Sequence, residues 1–392
     1  MKISLLISLL LTFCAYSNVR YFPKDYSEGR DNFRKLMESK LSYSSKSYTS
    51  NYKVPSEVDQ DLTVDYGYLK ATKTSKNLII VVSGLHGPES YAGSAVQSML
   101  LTELIDKFNR ENTSLLIVHA MNPFGFKYKR RVTEKNVNLN RNFDHSKDLF
   151  KTVNKGYPKL EPILNPTNPV RSSFFQAIQT SFTILMKLIK REATFAQLTD
   201  AVTNGQFQFE KGIEFGGKDF EPQVVYFKNL FKEKISKYDR VIALDLHTGL
   251  GKQEVLHLIT AQGSSQNELH FIEEITPKYK GIELTKHSSK GFYRLFGDMI
   301  NYIKQIVPKE SEFAGLTLEY GTLGNQLYSK LESVNILISE NQLYHHGSLT
   351  DREKNKVKEN FVEMFNPSEP SWRESVIDKA RVFFTHLAKK IQ

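Results

Sequence analysis

The run LIIVV at residues 78–82 constrains the fold most, because it carries no polar side chain and is followed closely by Gly84 and Gly87. A strand with one face in water alternates polar and apolar residues, so an unbroken run predicts a strand buried on both faces of a mostly parallel sheet. Similar runs occur at residues 115–118 and 241–244, a shorter run with one threonine occurs at 316–318, and helical patterns lie between them. Strands that alternate with helices predict an α/β layered fold with a mostly parallel, mixed sheet.

The N-terminus has the pattern of a secretory signal peptide. Lys2 precedes an apolar run over residues 3–16, and Ala15 and Ser17 provide the small residues of a cleavage site. This predicts a signal peptide at residues 1–17 and a secreted or periplasmic protein. The single cysteine, Cys14, lies inside that segment, so the mature chain is expected to lack disulfides, thiolate metal sites and cysteine nucleophiles.

The net charge of +10 is dispersed, since no block of five or more Lys or Arg occurs. Dispersed charge disfavours dedicated nucleic-acid binding. No later stretch of 18 apolar residues is present, so no transmembrane segment is predicted. We expect an N-terminal extension over residues 18–76 that packs on a catalytic domain at 77–392. Residues 144–220, which include a proline-rich stretch, are interpreted as an insertion or a long active-site loop.

Polar residues follow three of the predicted strands, where α/β folds place their sites. His86 and Glu89 come directly after the first run, and His247 follows the run at 241–244. Two histidines and one carboxylate, with a fourth position left for water, are typical of catalytic zinc. Asp245 lies two residues before His247 and is expected to point to the same side of the strand, where it could orient neighbouring groups.

A second group of residues could act on a substrate. Glu319 ends an otherwise apolar strand and is a candidate general base for a metal-activated water. Arg141 beside Asn140 offers a planar fork for a substrate carboxylate. Arg130 and Arg131 lie upstream, and either could stabilise an oxyanion.

Five motifs occur in one order over residues 84–322: HGPE, NPFG, RR followed by NLNRNF, DLHTGLG and LEYGT. In this order they resemble the zinc carboxypeptidases of the carboxypeptidase A superfamily, which includes the succinylglutamate desuccinylase and aspartoacylase branch. The residues within these motifs are most similar to those of a bacterial carboxypeptidase-like branch. The resemblance implies a three-layer α/β/α fold and one Zn²⁺ per chain, held by His86, Glu89 and His247, with Glu319 activating the water.

The resemblance also implies that Arg141 and Asn140 hold the terminal carboxylate of the substrate, and that Arg131 or Arg130 stabilises the oxyanion. One position departs from the family. Where the family usually has an aspartate that supports a zinc histidine, this chain has Asn138. A neutral amide is a weaker partner for the histidine, so replacing Asn138 by aspartate is expected to tighten metal binding.

The sequence thus predicts a zinc hydrolase that cleaves an amide bond next to a free carboxylate, in a peptide or an acyl-amino acid. Two alternatives remain: an N-acyl amino acid deacylase of the aspartoacylase type, and a catalytically weak relative that binds peptides or cell-wall fragments. A serine hydrolase is disfavoured because no GxSxG motif occurs. Tyr293 and Tyr320 are the two candidates for the catalytic-site tyrosine of the family.

Overall fold

The run at residues 78–82 lies in the middle of an eight-stranded mixed sheet. The computed structural model describes residues 18–190, 194–287, 295–324 and 326–392. Its strands are β1 (Tyr48–Lys53), β2 (Thr63–Leu69), β3 (Asn77–Ser83), β4 (Thr113–His119), β5 (Arg240–Gly249), β6 (Leu256–Thr260), β7 (Ile282–Thr285) and β8 (Glu312–Gly321), in the order β1-β2-β4-β3-β5-β8-β6-β7. The four predicted strands are β3, β4, β5 and β8, and they pair with one another in parallel.

Both faces of these central strands are covered, which explains why their sequences do not alternate. Successive side chains of a strand point to opposite faces. Ile79 and Val81 of β3 belong to one hydrophobic core, whereas Ile80 and Val82 belong to a second core on the other face. All seven residues of β3 are buried. Each aliphatic side chain buried in this way contributes about 1.5–3 kcal/mol to stability.

Helices form the outer layers. They are α1 (Tyr26–Ser39), α2 (Ser90–Met99), α3 (Pro123–Tyr128), α4 (Tyr157–Leu164), α5 (Ser173–Ile189), α6 (Phe195–Thr203), α7 (Pro222–Ile235), α8 (Gln266–Ile275), α9 (Met299–Ile306), α10 (Leu327–His346), α11 (Asp351–Phe365) and α12 (Pro370–Lys390). Side chains of α2, α8 and α12 cover the face of Ile79, and those of α7 and α9 cover the face of Ile80. The predicted α/β fold with helices on both sides of a mixed sheet is therefore confirmed.

Two segments outside the central strands shape the rest of the molecule. β1 and β2 precede residue 77 and are hydrogen-bonded into the same sheet through the antiparallel pairing of β2 with β4. Residues 144–220 contain α4, α5 and α6, whose apolar side chains form a separate small core with Ile338 of α10. The predicted signal peptide at residues 1–17 lies outside the described residues. In the part of the chain that is described, no helix is long and apolar enough to cross a membrane.

Candidate metal centre

His86 and Glu89 lie in the tight connection between β3 and α2. Gly84 begins the turn with a φ of +72°, a conformation that residues with a Cβ rarely adopt. Gly87 lies so close to the backbone of Gly125 that an added Cβ would be 2.0 Å from its carbonyl carbon. The two glycines therefore let the chain turn back sharply. His86 and Glu89 are left buried at the carboxyl end of β3.

His247 and Glu319 come to the same place on neighbouring strands. They are direct partners in the parallel register of β5 and β8. Both belong to the set of alternate residues on the face of the sheet that is covered by α7 and α9, as Val241 of β5 and Phe313 of β8 show. The structure thus brings residues from three strand ends to one point, as the sequence predicts.

Glu89 lies at the centre of the cluster, between the two histidines. Its Oε1 is 2.9 Å from His86 Nδ1, and its Oε2 is 2.8 Å from His247 Nδ1. One ligand atom from each of His86, Glu89 and His247 lies within 4.8 Å of the others, and all three residues are buried. Two imidazole nitrogens and one carboxylate form a donor set that suits Zn²⁺.

The outer nitrogen of each histidine is held by an oxygen atom. His86 Nε2 is 3.0 Å from Asn138 Oδ1, and His247 Nε2 is 2.6 Å from Asp245 Oδ2. An oxygen acceptor at Nε2 places the ring proton there and leaves the lone pair of Nδ1 for a metal. The predicted orienting position of Asp245 agrees with this geometry, and the donor set fits a metal ion.

Charges within the cluster shift the pKa values in opposite directions. Burial opposes ionisation of Glu89, but the two adjacent histidines outweigh it and hold its pKa below the usual range. His247 is also buried, yet Asp245 and Glu89 raise its pKa well above 6.5. Burial, with the negative charge of Glu89 nearby, raises the pKa of Glu319 to about 7. Opposite shifts in adjacent carboxyl groups are common in catalytic sites.

The two adjacent arginines differ in their surroundings. Arg131 NH1 donates to Glu89 Oε1 at 2.9 Å, which places its guanidinium beside the cluster, and its side chain is 17% exposed. Arg130 is 3% exposed, pairs with Glu340 at 2.9 Å and stacks on the ring of Tyr344 at 3.4 Å. Only Arg131 of the pair therefore borders the candidate metal centre.

Arg141 and Asn140 are in contact with their own chain. Arg141 is 6% exposed; its Nε and NH2 donate to the Thr203 carbonyl at 3.1 and 2.6 Å, and its NH1 donates to the Asn140 carbonyl at 2.5 Å. The side-chain Oδ1 of Asn140 accepts from the backbone N–H of Met299 at 3.1 Å. Because Arg141 is buried and all three of its nitrogen atoms donate within the chain, the predicted fork is not presented to solvent in this conformation.

Tyr320, one of the two tyrosine candidates, is not located at the cluster. Tyr320 follows Glu319 on β8, so its side chain points to the opposite face of the sheet, where it joins the core that α12 covers. The alternation of side chains along a strand excludes it from the site of Glu319. Tyr293 lies outside the described residues.

Sequence reasoning missed one residue of the site, Glu214. It belongs to the segment between α6 and α7, is buried, and has a φ of +59°. Its carboxylate accepts from Asn138 Nδ2 at 2.7 Å and from Arg131 Nε at 3.2 Å, and it is 3.9 Å from Arg141 NH2. A lone acidic residue between apolar Ile213 and Phe215, followed by two glycines, is the only signal in the sequence that could have indicated it.

Comparison with solved structures finds distant neighbours. Bovine thrombin-activatable fibrinolysis inhibitor, in complex with tick carboxypeptidase inhibitor, is 11% identical over 94% of this chain and 97% of that chain, with a TM-score of 0.49. Carboxypeptidase A from Helicoverpa armigera is 13% identical over 86% and 73%, with a TM-score of 0.42. An aspartoacylase family protein from Mesorhizobium loti is 16% identical over 77% and 67%, with a TM-score of 0.38.

A carboxypeptidase A and an aspartoacylase family protein are thus among the solved structures to which this chain is similar. No match is found among the curated proteins. A family model described as "Protein of unknown function (DUF2817)" matches residues 22–379. Since this match covers most of the sequence, the chain belongs to the DUF2817 family.

Proposed function

We propose that this protein is a zinc-dependent hydrolase of amide bonds, and that His86, Glu89 and His247 hold the metal. The observation that carries the proposal is the arrangement of the three side chains. Both histidine Nδ1 atoms face one carboxylate, and both Nε2 atoms are fixed from behind by oxygen atoms. When bound there, Zn²⁺ would polarise the scissile carbonyl and lower the pKa of a water molecule.

Glu319 is the residue we assign as general base. Its backbone lies directly beside that of His247, and its Oε1 accepts from the Leu250 N–H at 2.8 Å. That hydrogen bond fixes the carboxyl group, and we assign the proton transfer to Oε2. A pKa of about 7 lets the group accept a proton from water and return it to the leaving amine near neutral pH.

Arg131 is the residue we assign to the oxyanion. Its bonds to Glu89 and Glu214 hold the guanidinium in place next to the cluster, and part of the side chain reaches solvent. A positive charge fixed beside the reacting carbonyl stabilises the negative oxygen that forms during attack. Arg130 forms an ion pair with Glu340 and is not assigned to the oxyanion.

The substrate is proposed as an amide in a peptide or an acyl-amino acid. A preference for a free carboxylate next to the scissile bond depends on Arg141 and Asn140, and stays a prediction, since their polar groups contact Thr203 and Met299 instead. The deacylase alternative uses the same chemistry on a smaller substrate. Export by the predicted signal peptide at residues 1–17 also stays part of the proposal, and N-terminal sequencing of the secreted protein would test it.

The proposal is tested by measuring the metal content of the purified protein, and then hydrolysis of a panel of peptides and N-acyl amino acids. Each peptide is supplied with a free and with an amidated C-terminus. We expect about one Zn²⁺ per chain, and hydrolysis that a chelator abolishes and added zinc restores. A protein without bound metal, or hydrolysis that is unaffected by the chelator, would refute the proposal.

A further inference from the structure

Glu214 is a buried carboxylate that is separated from His86 in space by a single side chain, that of Asn138. It contacts Asn138 Nδ2 at 2.7 Å, and Asn138 Oδ1 in turn contacts His86 Nε2 at 3.0 Å. Burial disfavours the charged form of Glu214, but the charges of Arg131 and Arg141 outweigh it and lower its pKa. Glu214 is therefore an anion at neutral pH, held behind the candidate metal centre by two arginines.

An ionised carboxylate can only accept hydrogen bonds, and this property fixes the orientation of Asn138. Glu214 requires the NH2 group of the Asn138 side chain to face it, which turns the Asn138 carbonyl oxygen towards His86. That oxygen also accepts from the Asn140 N–H at 3.0 Å. An acceptor beside His86 Nε2 favours a proton on that nitrogen and leaves the lone pair on Nδ1, the atom that faces Glu89.

We propose that Glu214 is a positioning residue that orients His86 for metal binding through the side chain of Asn138. The inference rests on the proposed function, because it assumes that His86 is a metal ligand. It also gives a reason for Asn138, where the zinc carboxypeptidases that the sequence resembles usually have aspartate. The negative charge is still present near this site, because Glu214 supplies it from the far side of the Asn138 side chain.

For Asn138→Asp, this proposal leads to the opposite expectation from the one based on the sequence alone. An aspartate at this position would place a second carboxylate against Glu214, at the site of the present 2.7 Å hydrogen bond. The two negative charges would repel each other, or one of them would have to take up a proton. We therefore expect Asn138→Asp to lower the denaturation midpoint and not to tighten zinc binding.

The test is a charge swap measured by competition for zinc with a chelator. Glu214→Gln can satisfy either Asn138 or the Nε of Arg131 but not both, so we expect zinc affinity to fall at least ~10-fold. In the double variant Asn138→Asp/Glu214→Gln, the glutamine donates to the aspartate and accepts from Arg131, and the net charge equals that of the wild type. We expect the double variant to recover most of the lost affinity and of the denaturation midpoint.

A matched control is Glu340→Gln, which removes another buried carboxylate that is paired with an arginine. The hydrogen bonds and ion pairs of Glu340 do not include Asn138, so its loss should leave zinc affinity unchanged. The inference is overturned if Glu214→Gln binds zinc like the wild type, if Asn138→Asp alone tightens binding, or if the double variant shows no recovery.

These outcomes separate the inference from the proposed function. If the wild type binds no zinc, the proposed function fails. The charge swap is then tested by denaturant unfolding of the metal-free wild type, the two single variants and the double variant. If the double variant is not more stable than each single variant, the pairing of Glu214 with Asn138 is overturned. If the wild type binds zinc and Glu214→Gln binds it equally well, only the positioning role of Glu214 fails.

Discussion

The strand-end cluster and the surroundings of Arg141 contrast in how their polar groups are used. In the cluster, the inner nitrogens of His86 and His247 converge on one carboxylate, and only their outer nitrogens are tied to supporting residues. Around Arg141, the Nε, NH1 and NH2 groups all donate to backbone carbonyls of the same chain. In the cluster, the candidate metal-ligand atoms point into the site. Around Arg141, the N–H groups are used in hydrogen bonds within the chain.

This difference shows why motif order alone does not assign roles. Both groups of residues match the same resemblance, and only their hydrogen-bond partners separate them. The cluster is attached to the ends of β3, β5 and β8, whose register fixes it. Two of the partners of Arg141, Thr203 and Glu214, belong to residues 203–214, a segment whose position the sequence periodicity does not predict.

The largest effect is expected from removing a histidine of the cluster. His247→Ala should lower zinc affinity by more than the roughly 10–100-fold of an outer-shell change, and should abolish hydrolysis. Metal content and chelator competition measure this. His257→Gln serves as the control, because His257 is another buried histidine and is absent from the cluster. Full zinc occupancy in His247→Ala would mean that the inward-facing cluster does not bind the metal.

Glu319→Gln separates metal binding from catalysis. The amide keeps the shape of the side chain and cannot act as a base, so zinc content should be unchanged while kcat falls by at least ~10²-fold. Steady-state kinetics and metal analysis of the same preparation measure both. A variant that turns over at nearly the wild-type rate would show that Glu319 is not the base.

Arg141→Ala tests the other half of the comparison. Because the guanidinium donates to Thr203 and Asn140 and neighbours Glu214, its loss should lower the free energy of unfolding by about 3–5 kcal/mol. Denaturant unfolding measures this. A selective loss for substrates with a free carboxylate, with stability unchanged, would instead assign Arg141 to substrate binding.

A smaller effect is expected in the pH dependence of stability of the metal-free protein. The pKa of Glu319 is about 7, against 4.5 for an ordinary glutamate. Between pH 4.5 and 7, the folded state keeps a proton on Glu319 that the unfolded state has lost. The contribution of Glu319 to the free energy of unfolding therefore falls as the pH rises. Over this window the wild type should lose up to about 3 kcal/mol more than Glu319→Gln. Parallel pH profiles of the two proteins would contradict the raised pKa.

The sequence predicts the fold and the cluster well because both depend on strands. Unbroken apolar runs at residues 78–82 and 241–244 predict strands covered on both faces, and polar residues at the carboxyl ends of neighbouring parallel strands then share one edge of the sheet. Glu214 could not be predicted in the same way, since it lies in a loop and is placed by hydrogen bonds to Arg131 and Asn138.

The choice between neighbouring residues also required the structure. Arg130 and Arg131 are identical in sequence terms, and only the contacts with Glu340 and Glu89 distinguish them. Tyr320 could have been excluded from the site on the sequence alone. As the residue after Glu319 on a strand, it must face the other side of the sheet if Glu319 faces the site.

The wide separation of the cluster residues along the chain links metal capture to the order of folding. Glu89 and His247 are bound to each other across 158 positions of sequence, and Glu319 lies further still. Such long-range contacts form late, because the entropy of closing the intervening chain must be offset by the assembled sheet. A partly folded chain would therefore present no complete ligand set. Zinc would bind the native state alone and would stabilise it by RT ln(1 + [Zn²⁺]/Kd). The melting temperature should therefore rise with the logarithm of the free zinc concentration once that concentration exceeds Kd.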